Sequence, residues 1–182
     1  MIRAIAYPTL TVFLAYVSRR SLVRPRTHGF YRFFAWEALL ALFLLNVPHW
    51  IDQPFCPRQL VSWVLITASA ALALAGAHAL VVHGRPGPQR TEPELYAFER
   101  TSRLVTRGVF RYVRHPLYSS LLCLAWGVYL KWPDRAGLAL AAATSLFLWL
   151  TTRRDEDECR RTFGAAYDAY SARTRRFLPF LL

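Results

Sequence analysis

Apolar residues in this 182-residue chain gather into five runs separated by arginine-rich segments. The runs cover Ile2–Val17, with Pro8 inside, then about Phe30–Val47, Leu60–Val82, Pro116–Trp132 and Leu138–Thr152. Leu60–Val82 is the clearest. Spans of 15–18 residues reach only about 22–27 Å as helices, slightly short of a hydrocarbon core, which suggests ends that finish at an interface or inside a protein site. Lys131-Trp132-Pro133-Asp134-Arg135 joins the last two runs and predicts a tight helical hairpin. His83–Glu94, rich in glycine and proline, reads as a loop, and a short amphipathic helix is expected at Glu94–Leu104. Beyond Thr152, Glu156, Phe163, Tyr167 and Tyr170 share one helical face, which predicts an amphipathic helix lying on the membrane surface. The expected architecture is all-α: a polytopic membrane protein of about five transmembrane helices, organised as one membrane domain over 1–182. Three spans occupy 1–82, a loop 83–115, and a hairpin with its tail 116–182.

Composition agrees with this reading. Apolar residues make up 54% of the chain, charged residues 19%, and mean hydropathy is +0.20. These values exclude a disordered chain and a coiled coil. The net charge of +12 is distributed by topology. Nineteen basic residues fall in the segments after the first, third and fifth runs, against four on the other side. The positive-inside rule then puts the N-terminus outside and the C-terminus in the cytoplasm, in the inner membrane for a bacterial source. The same distribution removes the need for a nucleic-acid partner. The apolar N-terminal run lacks the preceding charges and the cleavage site of a signal peptide. Cys56, Cys123 and Cys159 lack metal-ligand spacing, no HExxH or P-loop occurs, and no metal is expected. No dinucleotide fingerprint occurs among the eight glycines.

Two polar clusters remain. Arg114 and His115 precede Pro116, a residue suited to the first turn of a helix, so both sit where free amides and the helix dipole favour an anion. Taken alone, this segment also reads as a membrane helix start with snorkelling arginines. The second cluster, Arg153-Arg154-Asp155-Glu156-Asp157-Glu158-Cys159, continues through Phe163-Gly164 to Arg173 and Pro179. Glu156 and Arg173 are about 25 Å apart in a straight helix, so a shared site requires a bend, for which Gly164 is the natural place. Glu37 lies inside the second run, a functional candidate by default, although Arg32 or Arg111 could also pair with it.

The ordered set Leu104-Val105-Thr106-x-Gly108-x-Phe110-x-x-x-Arg114-His115-Pro116-x-Tyr118, an apolar hairpin, then Asp155-Glu156, Phe163-Gly164, Tyr167, Tyr170, Arg173 and Pro179 resembles the isoprenylcysteine carboxyl methyltransferase family and the related phospholipid methyltransferases. The resemblance covers Leu104 to Pro179. It implies an integral membrane enzyme that uses S-adenosylmethionine to methylate a lipid or a lipidated carboxyl or thiol group. A phospholipid amine or small thiol is the alternative acceptor, and a membrane accessory protein without activity is the reading from a different class. The resemblance implies cofactor contacts from Leu104, Val105, Phe110, Arg114, His115, Pro116, Leu117, Tyr118, Asp155 and Glu156. Arg173, Arg153 and Glu156 are the candidates for work on the acceptor. The sequence departs from the family pattern at Asp155, where glutamate is usual, at Cys159, where leucine is usual, and at Ser120, where a glycine-like residue is usual. A basic residue common four positions before the acidic pair falls on Thr151, with Arg153 the nearest substitute.

Overall fold

A computed structural model describes residues 2–84 and 101–177. Among these it is all-helical apart from one isolated parallel bridge between Val113 and Arg175. The helices are α1 (Ile2–Val17), α2 (Arg19–Leu22), α3 (His28–Asn46), α4 (Pro57–Gly84), α5 (Pro116–Tyr129), α6 (Arg135–Phe163) and α7 (Ala165–Ser171). Short 3-10 turns occupy Val47–His49 and Gly108–Arg111. The loop expected over His83–Glu94 and the start of the helix expected at Glu94–Leu104 lie mostly outside the described residues, as does Pro179. Thr101–Leu104 are described and are not helical.

Among the described residues, three helices are long and apolar enough to cross a membrane: His28–His49, counting the 3-10 turn that continues α3, Pro57–Gly84, and Arg135–Phe163. This fits a membrane protein. The other two apolar runs form shorter helices, 16 residues in α1 and 14 in α5, and the count of about five spans is not confirmed. The apolar pattern misplaced the ends of α6 because polar groups begin and finish that helix. Asp134 caps it, its carboxylate accepting from the Gly137 N–H, and the helix continues past Thr152 through the charged segment to Phe163. The amphipathic face is therefore the last turns of α6 followed by α7, divided at Gly164. That glycine has φ +53° and ψ −133°, a region closed to residues with a Cβ, and it produces the expected bend.

The α5–α6 turn is tight, but α5 packs mainly along α4 and α6 along α3. Ser62, Ser69 and Gly76 of α4, buried at seven-residue intervals, allow the close approach to α5. The Ser62 hydroxyl donates to the Gly127 carbonyl at 2.7 Å, and the chain at Gly76 passes against Pro116 and Leu117. The far end of the hairpin is closed by Lys131, which is fully buried. Its ammonium donates to Gln59 Oε1 at 3.0 Å and lies 3.2 Å from the centre of the Trp63 ring, a cation–π contact. Arg58 donates to the Leu130 and Lys131 carbonyls.

Candidate functional site

The end of the bundle opposite Lys131 is built from α5's first turn, the charged part of α6, α7 and the following tail. Pro116 begins α5, with His115 as the residue before it. The amides of Arg114 and His115, expected to be open to an anion, instead donate to the tail carbonyls of Arg175 (2.7 Å) and Arg176 (3.2 Å). Arg175 N–H returns a bond to the Tyr112 carbonyl, and the Ser119 hydroxyl donates to the Phe177 carbonyl at 2.8 Å. The tail therefore runs as a strap alongside residues 112–115. An anion at this site would be met by side chains rather than by those two amides.

Glu156 holds this strap to α6. Its residue is 2% exposed. Arg114 Nε donates to its Oε1 at 3.0 Å, while Arg176 donates from Nε to Oε1 at 3.0 Å and from Nη2 to Oε2 at 2.6 Å. Arg114 also donates from Nη1 to the Ser171 and Thr174 carbonyls at 2.8 and 2.5 Å. Burial by itself would raise the Glu156 pKa. The hydrogen bonds from His115 and Arg176, with the charges of His115 and Arg114, overcome that and hold the carboxyl well below its ordinary range.

The His115 ring lies between two acids, Nδ1 at 3.5 Å from Asp155 Oδ2 and Nε2 at 3.3 Å from Glu156 Oε1. Burial opposes its protonation, but the hydrogen bonds and charges of both carboxylates raise its pKa overall. With both nitrogens facing carboxylates, the doubly protonated ring is the favoured form. His28, at the start of α3, donates to Glu158 Oε2 at 2.5 Å and joins that helix to the same stretch of α6.

Above this network lies a cleft partly open to solvent. Arg114, His115 and Asp155 form its polar end. Leu104, Val105, Phe110, Phe163, Tyr167 and Tyr170 form a largely apolar, aromatic end. Nine of the ten residues expected at a cofactor site line it: Leu104, Val105, Phe110, Arg114, His115, Pro116, Leu117, Tyr118 and Asp155. Glu156, the tenth, lies beneath the lining as an anchor. The structure does not bring Arg173 or Arg153 to the cavity. Arg173 is exposed and donates to the Ala169 carbonyl of its own turn, and Arg153 is exposed with its guanidinium 4.9 Å from the centre of the Trp149 ring. Thr151 is fully buried and donates to the Phe147 carbonyl. Glu37 accepts from the Thr11 hydroxyl at 2.8 Å, linking α1 to α3. Sequence reasoning passed over Arg176, and it placed Tyr167 on the right face without assigning it a place in the site.

A family model described as phospholipid methyltransferase matches residues 63–166, from the second turn of α4 to the start of α7. The chain belongs to the phospholipid methyltransferase family. Two curated relatives from rice, Oryza sativa subspecies indica and japonica, are each named probable protein-S-isoprenylcysteine O-methyltransferase. Each is 32% identical over 88 residues, covering 46% of this chain and 44% of the relative. The match thus spans less than half the length of those relatives. No solved structure matches. The cavity lies within and just beyond the matched segment.

Proposed function

We propose that the protein is an S-adenosylmethionine-dependent methyltransferase acting on a lipid or on a lipidated carboxyl or thiol group. The observation that carries this reading is the two-ended cavity at the end of the apolar helices: cations and a carboxylate at one end, aromatic and aliphatic walls at the other. S-adenosylmethionine has matching parts, an amino acid and a nucleoside, and it would supply an electrophilic methyl group on a sulfonium. Arg114 and His115 would hold its carboxylate, and Asp155 its amino group. Leu104, Val105, Phe110, Phe163 and Tyr170 would enclose the nucleoside. Glu156 would act indirectly, keeping Arg114 and His115 in place and charged. The charge bias along the sequence puts this end in the cytoplasm, where the donor is soluble, while the acceptor would arrive through the membrane.

The site also bears on the acceptor. Both carboxylates favour the protonated form of His115, and Glu156 is surrounded by donors, so neither is well suited to take a proton. An acceptor that arrives as a carboxylate or thiolate needs no base, and alignment with exclusion of water then supplies the catalysis. The names of the rice relatives agree with a lipidated carboxylate. The family description favours a second reading, a phospholipid amine. In that case Asp155, the carboxylate lining the cavity, would take the proton.

Calorimetry of S-adenosylhomocysteine with detergent-purified protein tests the donor site. Binding is expected, weakened roughly tenfold or more in Asp155→Asn by the loss of a charge-assisted hydrogen bond. Transfer of labelled methyl to a prenylated cysteine carboxylate and to phosphatidylethanolamine then separates the acceptors. A folded wild type that binds no donor overturns the enzyme reading in favour of an accessory role.

A further inference from the structure

We propose that the Tyr167 hydroxyl is a ligand-recognising donor, placed to hydrogen-bond a ring nitrogen in the nucleoside part of the methyl donor; the inference rests on the donor reading above. Tyr167 and Tyr170 sit three residues apart on α7, with ring centres 6.0 Å apart. Tyr170 is satisfied within the protein, donating to the Phe110 carbonyl at 2.8 Å. Tyr167 is not. It is 2% exposed, and its hydroxyl is buried with no hydrogen-bond partner among the described residues. A buried hydroxyl without a partner is destabilising, a cost that phenylalanine would avoid while filling the same space.

Tyr167 also lines the cavity, so a bound molecule can satisfy the group. The position limits what that molecule presents. Around the ring lie Leu104, Cys159, Phe163 and Tyr170, the apolar end of the cavity and the end suited to a flat ring system. Charged parts of a ligand find Arg114, His115 and Asp155 at the other end. Burial pushes the Tyr167 pKa up, and Cys159, Glu156 and Asp155 push it further, so the phenol stays protonated and acts as a donor. A neutral donor on the aromatic wall of the cavity suits a neutral acceptor atom on a flat ring system. A heterocyclic base offers such atoms on its edge. The bend at Gly164 sets this geometry, because it turns α7 away from the line of α6.

The test pairs wild type with Tyr167→Phe in detergent and measures both S-adenosylhomocysteine affinity and the thermal stability of the ligand-free protein. Affinity is expected to fall roughly tenfold in the variant, the loss typical of one hydrogen bond to a buried group. Ligand-free stability is expected to stay level or rise, because the lost hydroxyl had no partner. Among the 1-, 3- and 7-deaza analogues of the ligand, one is expected to bind both proteins equally, at the weakened level. Equal affinity of the two proteins for S-adenosylhomocysteine overturns this inference and leaves the donor site standing. A drop of several degrees in the ligand-free variant overturns it too, since the hydroxyl then has a structural partner. If all three analogues still favour the wild type, the assignment to a ring nitrogen is overturned. A wild type that binds no S-adenosylhomocysteine overturns both this inference and the donor reading.

Discussion

Replacing Glu156 with glutamine tests whether this residue is an anchor or a ligand contact. Its side chain is 3% exposed, beside the side chains of Arg114 at 12%, His115 at 5% and Arg176 at 25%. Glutamine keeps the shape and one acceptor oxygen but leaves the cations without their shared counter-charge. Removing one partner of a buried ion pair costs about 3–5 kcal/mol, and the retained acceptor places this change near the lower end. For a chain of this size each kcal/mol lowers Tm by about 2–4 °C, so a loss of about 6–12 °C is expected in ligand-free, detergent-purified protein at pH 7. The pH dependence has a definite sign. The folded pKa lies below the ordinary 4.5, so the contribution is complete above 4.5 and is lost as pH falls toward the folded value. The gap between wild type and Glu156→Gln should therefore be full at pH 7 and narrow below pH 4.5. Thermal scans across that range provide the check. A variant as stable as wild type when ligand-free, yet unable to bind S-adenosylhomocysteine, would refute the anchor argument and make Glu156 a direct contact.

The tail gives a paired prediction: Arg176→Ala should lower stability by about 1.5–3 kcal/mol and weaken donor binding, whereas exposed Arg173→Ala should change stability by no more than about 0.5 kcal/mol, both read from thermal unfolding and calorimetry. Gly164→Ala should cost about 1–3 kcal/mol from backbone strain alone, since nothing lies within 4 Å of an added Cβ, and its Tm should fall accordingly. Gly127→Val should cost about 1–3 kcal/mol in the same assay, because even a Cβ there would sit 2.9 Å from Ile66 Cγ1 and 3.2 Å from the Ser62 carbonyl. His115 should show the opposite pH dependence to Glu156. Its folded pKa is raised, so its contribution is complete below 6.5 and is lost as pH rises through the folded value; stability should decline on the alkaline side in wild type and be flatter in His115→Gln.

Features that repeat locally were legible in the sequence. Apolar runs located α1, α3, α4, α5 and α6, Pro116 marked the start of α5, and the distance from Glu156 to Arg173 required a bend that Gly164 supplies. Features that depend on distant pairing were not. Arg176 could not be preferred to Arg173 on a helical wheel, because α7 ends at Ser171 and the tail then runs beside residues 112–115, about 60 positions earlier. No local period encodes that register. Lys131 counted as an ordinary loop charge, since its burial depends on Gln59 and Trp63 arriving from α4. The two tyrosines of α7 fell on one face by spacing, but only the fold shows that the Phe110 carbonyl meets Tyr170 and leaves Tyr167 without a partner among the described residues.

The acidic pair shows how neighbouring positions can carry different tasks. Successive residues on a helix point about 100° apart, so Asp155 and Glu156 cannot face one ligand as a pair. Here they divide. Asp155 lines the cavity, and Glu156 turns beneath it toward Arg114 and Arg176. His115 lies in the angle between them and is approached by one acid at each ring nitrogen. The charge state of a cavity-lining group is thus fixed jointly by a residue that can meet a ligand and one that does not line the cavity. Shortening the first acid to aspartate keeps its 3.5 Å approach to His115. Loss of the second would leave Arg114 and Arg176 without their shared counter-charge and His115 with one acid, which is why the buried member of the pair, and not the lining one, should dominate stability.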